Sequence, residues 1–311
     1  MVVCAYTEKR WDELVAAVES LRVQTHPPDE VILVIDHNPA LAERASREIP
    51  GVTCVENHGQ RGLSDARNAG LAVARGEIVA FLDDDAEAEP EWLSLLAEGY
   101  ADPTVVAVGG FAEPEWAEGR PGWFPREFDW VVGCTYRGMP EAASPVRNLI
   151  GCNMSFRREI FDDLGGFTTG IGRLGTRPVG CEETELCIRI AQRRPGSVIL
   201  FDPRALVHHH VPGPRATWGY FRSRCYAEGL SKAAVSALVG ATQGLASERT
   251  YTTRTLPKGV VRGIAAGLKG EAGGFVRAAA IVAGVGIATV GYGLGRLSPR
   301  RFVQAGMVPA A

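Results

Sequence analysis

The chain has 311 residues, of which 46% are hydrophobic, and it carries a formal net charge of −3 at pH 7. This composition excludes a disordered chain and leaves room for one large domain, or for one domain with an appended helical region. The lack of a basic block argues against a nucleic-acid partner. Seven scattered cysteines without a C-x-x-C pair argue against a zinc site and a disulfide framework and, with no signal peptide in the sequence, predict a cytoplasmic protein.

Residues 1–112 alternate between short apolar runs and segments with apolar residues at helical spacing. The runs predict buried strands and the spaced segments predict helices. The predicted strands are 2–5, 31–35, 52–56, 78–82 and 105–111, and the predicted helices are 11–23, 40–48, the later part of 59–76, and 91–99. Strands that alternate with helices are typical of βαβ units, so the sequence predicts an α/β fold with a mostly parallel central sheet.

The strand predicted at 78–82 ends in three consecutive carboxylates, Asp83, Asp84 and Asp85. Acids at this end of a strand lie in the crevice where open α/β sheets bind ligands. Because adjacent strand residues point to opposite faces, we expect Asp83 and Asp85 to share one side and Asp84 to face away. Two carboxylates on one side can hold a divalent cation together with phosphate oxygens. A solvated acidic turn is the alternative interpretation.

The second half of the chain is less regular. Strands are predicted at 152–156, 198–201 and 205–211, and helices at 158–164, 181–189 and 217–239. The helix at 181–189 is acidic, and the last strand carries His208, His209 and His210. Residues 119–145 have no periodicity, which predicts a functional loop or a structure that the pattern does not reveal.

Taken in order, these features resemble the inverting family 2 glycosyltransferases, which have the GT-A fold. The matching motifs are residues 5–8 (AYTE), Asp36, residues 61–70 (RGLSDARNAG), residues 83–85, residues 151–155 (GCNMS), the pair Glu182-Glu183, and the histidines. The resemblance covers residues 2–231. It implies a GT-A domain over 1–231, with a nucleotide-binding half (1–112) and an acceptor half (113–231), followed by a helical extension over 232–311.

The resemblance implies transfer of a sugar from a nucleoside-diphosphate sugar to a hydroxyl of a glycan, lipid-linked or small-molecule acceptor. Mg²⁺ or Mn²⁺ would stabilise the departing diphosphate, and a general base would take the proton of the hydroxyl. The resemblance assigns Asp85 and His209 to the metal, with His210 in reserve. It assigns the base to Glu183, although the family usually has Asp there, and Glu185 is the next candidate.

The remaining assignments concern the two substrates. On the nucleotide side the resemblance places Ala5, Glu8, Asp36 at the nucleobase, Arg67 at the phosphates, Asp83 at ribose or metal, and Asp84. On the acceptor side it places Asn153 and Glu182.

Two other functions stay open at this point. A sugar-nucleotide-forming nucleotidyltransferase shares the strand pattern, but it usually has a glycine-rich loop after the first strand, where this chain has Thr7-Glu8-Lys9-Arg10. A catalytically silent nucleotide-sugar-binding protein is favoured by one feature, the glutamate in place of aspartate at position 183.

Residues 260–297 are rich in Gly and Ala and contain an uncharged run over 278–294. The pairs Gly263/Gly267 and Gly291/Gly295 have the spacing of closely packed helices. A membrane span, a helix at the inner face of the cell membrane and plain packing on the domain all fit this pattern. Basic residues on both sides of the run would suit anionic lipids.

Overall fold

The computed structural model describes residues 1–171, 180–240 and 250–297. The chain divides into two compact units. The first comprises Met1–Glu113, Pro140–Arg177 and Glu182–His209, and the second comprises Pro114–Met139, Pro178–Cys181 and His210–Ala311. Residue 231, where the predicted GT-A domain ends, lies in the second unit, in a helix that packs on the last C-terminal helix.

In the described part of the chain, the first unit contains six α-helices and nearly all of the sheet, whose two longest strands continue for a few residues into the second unit. Its strands are β1 (Val2–Ala5), β2 (Ile32–Asp36), β3 (Thr53–Asn57), β4 (Ile78–Asp83), β5 (Ala86–Ala88), β6 (Val105–Trp116), β7 (Ser144–Pro145), β8 (Asn153–Arg157) and β9 (Val198–Val211). Its helices are α1 (Trp11–Arg22), α2 (Pro39–Glu48), α3 (Leu63–Val73), α4 (Trp92–Gly99), α5 (Arg158–Leu164) and α6 (Glu182–Arg193).

The sheet has the order β3-β2-β1-β4-β8-β6-β9-β5, and β7 pairs with β9. Strands β1 to β4 pair in parallel, whereas β4 with β8, β6 with β8, β5 with β9 and β7 with β9 are antiparallel. The α/β fold is confirmed, but the sheet is mixed rather than mostly parallel. Parallel neighbours require crossover connections, and the regular alternation that signals such crossovers stops after β4.

The core explains why the first strands are so apolar. Every residue of β2 is buried, and Val2, Val34 and Phe81 pack together in the main hydrophobic cluster. Helix α3 lies close against this surface at Gly70, where a Cβ would collide with Val2. Close packing of the helix on the parallel strands therefore depends on a glycine within the RGLSDARNAG motif.

The second unit is mainly helical and is built on α7 (Trp218–Val239), α8 (Leu256–Leu268) and α9 (Gly274–Leu297). Helix α9 packs on both of the others. Their glycines lie at the contacts: Gly263 faces Ala278, Gly291 faces the backbone of Tyr226, and Gly295 faces Ala233. The glycine spacing in the sequence therefore reflects close packing of helices within this unit.

Helix α9 also stands out by its length and apolar character. It has 24 residues, its mean hydropathy reaches 1.7, and 33% of its most apolar window is buried. Among the described residues it is the one helix that could cross a membrane by length and composition.

Candidate functional site

Three side chains meet at the carboxyl edge of the parallel strands in the first unit. Asp83 ends β4, Asp85 follows it, and His209 lies on β9 directly opposite Ala86. One potential ligand atom from each of these three residues lies within 4.8 Å of the other two. Asp83 and Asp85 therefore share one side, as expected, although β4 ends at Asp83 and Asp85 lies in the turn that follows it.

The chemistry of this group suits a divalent cation. Asp85 and His209 are buried, with 3.2 Å between Asp85 Oδ1 and His209 Nε2, whereas the side chain of Asp83 is 27% exposed. Two hard carboxylates and an imidazole are ligands that Mn²⁺ or Mg²⁺ accepts, and the exposed side of Asp83 leaves access from solvent. The neighbouring His208 contacts Glu89 instead, on the other face of the strand.

Arg10 contacts two carboxylates of the acidic run, Asp84 and Asp85. It lies in the 3-10 helix after β1 (Glu8–Arg10), and its Nη1 is 2.6 Å from Asp84 Oδ1 and 3.1 Å from Asp85 Oδ2. No local sequence pattern indicates that Arg10 contacts these aspartates. The one available signal is that Arg10 follows β1 closely, since β1 and β4 are neighbours in the sheet.

Asp84, which the resemblance assigns to the nucleotide, is buried inside the protein and paired with Arg10. Burial raises the pKa of Asp84 to about 7, and the nearby Asp85 and Asp83 act in the same direction, whereas Arg10 opposes the shift. A carboxyl with this pKa exists in both protonation states near neutral pH, and added positive charge in the site would favour its ionised form.

Arg67 links three separate parts of the first unit. Although it is only 2% exposed, its guanidinium contacts Glu182 Oε1 at 2.8 Å, Asp83 Oδ1 at 3.2 Å and the carbonyl of Gly151 at 3.0 Å. Burial alone would lower the pKa of Arg67, but Glu182 and Asp83 raise it above its ordinary value. Arg67 and Glu182 are thus a buried pair that fixes Asp83 and the start of α6, rather than exposed contacts for phosphate and acceptor.

Helix α6 presents three glutamates in its first turn, and their surroundings differ. Glu182 is bound by Arg67, and Glu185 is buried between Arg189, at 2.9 Å, and the hydroxyl of Thr168, at 2.8 Å. Glu183 is partly exposed, and the Thr184 hydroxyl donates to it at 3.2 Å. Of these three carboxylates, Glu183 is the one that solvent reaches.

Asp36, at the end of β2, organises the loop that leads into α3. Its carboxylate accepts from Asn57 Nδ2 at 2.8 Å and from the backbone N–H of Gly62 at 3.0 Å, and it lies 2.8 Å from His37 Nδ1. A carboxylate has about four acceptor positions, so these partners leave about one for a ligand. The two other residues assigned to the nucleotide are the buried Ala5 and the exposed Glu8.

Asn153 does not lie where the resemblance placed it. Its side chain is completely buried, its Oδ1 accepts from Trp92 Nε1 and the N–H of Gly110, and its Nδ2 donates to the carbonyls of Phe111 and Ala205. These four bonds use the full hydrogen-bonding capacity of the amide. Asn153 therefore joins strands inside the fold and has no atom to offer to an acceptor.

Comparison with known families and curated proteins places the chain among glycosyltransferases. The family model described as "Glycosyl transferase family 2" matches residues 1–165. Glucosyl-dolichyl phosphate glucuronosyltransferase of Haloferax volcanii is 36% identical over 236 residues, which are 75% of this chain and 75% of that protein. Succinoglycan biosynthesis protein ExoM of Rhizobium meliloti is 29% identical over 264 residues, with 78% of this chain and 80% of that protein covered.

Solved structures show the same fold at lower sequence identity. The mannosyltransferase PcManGT from Pyrobaculum calidifontis, in complex with GDP-Man and Mn²⁺, aligns over 96% of this chain and 86% of its own, with a TM-score of 0.57 and 21% identity. GalNAc-T7 with UDP, GalNAc and Mn²⁺ covers 76% of this chain and 49% of its own, with a TM-score of 0.52 and 19% identity.

Proposed function

The chain belongs to glycosyltransferase family 2, and from this premise we propose that it moves a sugar from a nucleoside-diphosphate sugar to a hydroxyl acceptor with the help of a divalent cation. The observation that carries the proposal is the group formed by Asp83, Asp85 and His209 at the carboxyl edge of the parallel strands. That edge is where open α/β sheets bind nucleotides. The Mn²⁺ and nucleotide in PcManGT and GalNAc-T7 support the choice of cofactor and donor.

In the proposed mechanism, Asp85, Asp83 and His209 hold the cation. When bound, it supplies Lewis-acid stabilisation for the diphosphate that leaves the sugar. Arg10 keeps Asp84 and Asp85 in place. Preorganised charge of this kind contributes most when it is fixed before the reaction begins.

Glu183 is the proposed general base. It is the solvent-accessible carboxylate at the start of α6. Gly151 lies close to both Glu183 and Arg67, because a Cβ built on Gly151 would be 4.0 Å from Glu183 Oε2 and 3.4 Å from the Arg67 guanidinium. Glu183 therefore lies beside the pair of Arg67 and Glu182 that also holds Asp83. In the proposed reaction its carboxylate takes the proton of the acceptor hydroxyl as that oxygen attacks the sugar.

Turnover of a sugar-nucleotide panel tests the reaction class. We expect UDP or GDP to be released from at least one sugar nucleotide in the presence of Mn²⁺ and an acceptor, and the release to stop when the metal is chelated. Diphosphate release from a nucleoside triphosphate and a sugar phosphate would instead identify a nucleotidyltransferase. Binding without turnover, with every donor and a broad set of acceptors, would identify a silent binding protein.

We also propose that the second unit touches the inner face of the cell membrane. Helix α9 carries exposed apolar side chains along its length, among them Val276 at 55%, Val282 at 62% and Val290 at 58%. Its two arginines, Arg277 and Arg296, lie near its ends. An apolar helix face of this length that stays in water is costly, and it suits the boundary of a lipid bilayer.

Vesicle flotation tests this contact. We expect the wild-type chain to float with anionic vesicles and the variant Val282→Asp/Val290→Asp to bind at least tenfold more weakly, because each change removes a valine contact worth about 1.5 kcal/mol or more. The matched control is Val23→Asp/Val73→Asp, which alters two exposed valines of the first unit. Equal flotation of all three proteins would contradict the proposal.

A further inference from the structure

The second unit contains a cleft that has no part in the site described above. Its volume is about 540 Å³, which is within the range of small-molecule sites. Helices α8 and α9 form one wall, and residues 120–137 form the other. Six of the side chains that line it are cationic: Arg120, Arg126, Arg137, Arg262, Lys269 and Arg277.

Three carboxylates hold most of the guanidinium groups in position. Asp129 binds Arg120 through two contacts, at 2.6 and 2.9 Å. The buried Glu127 binds Arg262 and lies 3.8 Å from Arg137.

The third carboxylate is Glu271, which binds Arg277. These contacts fix the guanidinium groups in position, and charged N–H donors that are held in this way form strong hydrogen bonds to phosphate oxygens.

The cleft keeps a net positive charge after these pairings, because six cations face three carboxylates. Arg126 and Lys269 are exposed at its border. Neither belongs to the three carboxylate pairings above. A cleft that gathers this much positive charge in a chain of net charge −3 selects an anionic ligand.

The surface beside the cleft indicates what this anion is attached to. Arg262 on helix α8 and Lys269 directly after it line the cleft, and the adjoining flank of the helix exposes Val261, Ile264 and Leu268, with Leu268 at 77%. At about 100° per residue, these three apolar side chains lie on one stripe next to the cationic side of the helix. A free phosphate ion would make no use of this stripe, whereas a lipid would place its chains there.

We propose that this cleft binds the phosphate headgroup of a membrane lipid, with the lipid chains along the exposed stripe of α8. The inference deepens the membrane contact proposed above and rests on it for the source of the ligand. It involves none of the residues of the metal site. The proposal can therefore be tested without measuring sugar transfer, and a soluble lipid avoids the need for vesicles.

The test is calorimetric titration with monomeric dihexanoyl phosphatidic acid at low salt. We expect the wild-type chain to bind and the variant Arg126→Gln/Lys269→Gln to bind about 25-fold more weakly, since each basic residue near an anionic lipid contributes about fivefold. Both side chains are exposed, so the variant should keep the melting temperature of the wild type. The matched control, Arg75→Gln/Arg193→Gln, removes two exposed arginines of the first unit and should bind like the wild type.

Two further ligands separate the sources of binding. Dihexanoyl phosphatidylcholine has the same chains with a zwitterionic headgroup, and we expect it to bind much more weakly than phosphatidic acid. Equal binding of the two lipids, or equal binding by wild type and Arg126→Gln/Lys269→Gln, would overturn the proposal. Inorganic phosphate or pyrophosphate that binds as tightly as phosphatidic acid would replace the lipid by a free anion and would also overturn it.

The same preparations are tested for stabilisation by UDP or GDP with Mn²⁺. A protein that responds to nucleotide but not to phosphatidic acid retains the proposed transferase site and lacks the lipid site. One that responds to phosphatidic acid alone retains the lipid site and contradicts the proposed donor.

Discussion

The substitution Asp85→Asn is expected to abolish the Mn²⁺-dependent stabilisation of this protein by UDP or GDP. Asp85 is buried between His209, at 3.2 Å, and Arg10, at 3.1 Å. Asparagine keeps its shape but removes the charge that would hold the cation. For the wild type, a ligand at a hundred times its dissociation constant adds about 2.7 kcal/mol to the free energy of unfolding, which raises the melting temperature of a chain of this size by about 4 °C. Thermal unfolding with UDP or GDP, with and without Mn²⁺, measures the rise in the wild type and its loss in Asp85→Asn.

A matched control separates loss of the site from loss of stability. Asp202→Asn changes another buried aspartate of the same sheet, one that is paired with Arg204 at 2.7 Å. It should keep the full nucleotide response even if its own melting temperature falls. A Mn²⁺-dependent rise of equal size in Asp85→Asn and wild type would refute the metal assignment.

Replacing Glu183 with Gln is expected to lower kcat by about 10²- to 10⁴-fold, which is the usual contribution of a general base. Donor binding should be unchanged, because Asp83, Asp85 and His209 are left intact. The amide cannot accept the proton of the attacking hydroxyl. Steady-state kinetics with the donor found in the panel, together with the nucleotide-induced melting shift, separate these two effects.

Two companion variants test the geometry of the base. Glu183→Asp restores the residue usual in the family and shortens the arm by one methylene, so it should retain a measurable part of the activity. Glu185→Gln disturbs the buried pair with Arg189 and should reduce stability more than kcat. If Glu185→Gln removes turnover and Glu183→Gln does not, the base is wrongly assigned.

The parts of the site that the sequence could predict are those fixed by strand geometry. Asp83 and Asp85 lie at the edge of the sheet because the apolar run ends there, and the turn that joins β4 to β5 places Asp85 near Asp83. His209 joins them because β9 and β5 are in register, with Ala86 opposite His209. The register itself could be taken only from the family resemblance.

What could not be predicted depends on partners distant in sequence. Arg10 meets Asp84 across 74 residues, and Arg67 meets Glu182 across 115. Whether a polar side chain on a helix or loop is solvated or buried in a pair is decided by such tertiary contacts, and no local pattern records them. For the same reason the sequence does not reveal that four hydrogen bonds inside the fold occupy the Asn153 side chain.

The order of strands in the sheet also affects how the protein is made. In the sheet β8 lies between β4 and β6, and β9 lies between β6 and β5, so late segments of the chain fill positions among earlier ones. On the ribosome the four parallel strands can pair early, but His209 arrives only with β9. At about 5–20 residues per second, the nascent chain therefore spends several seconds with its acidic run formed and its histidine not yet synthesised. His209 is also the last residue of the first unit, so the proposed metal site can be completed only after the whole of this unit has been synthesised.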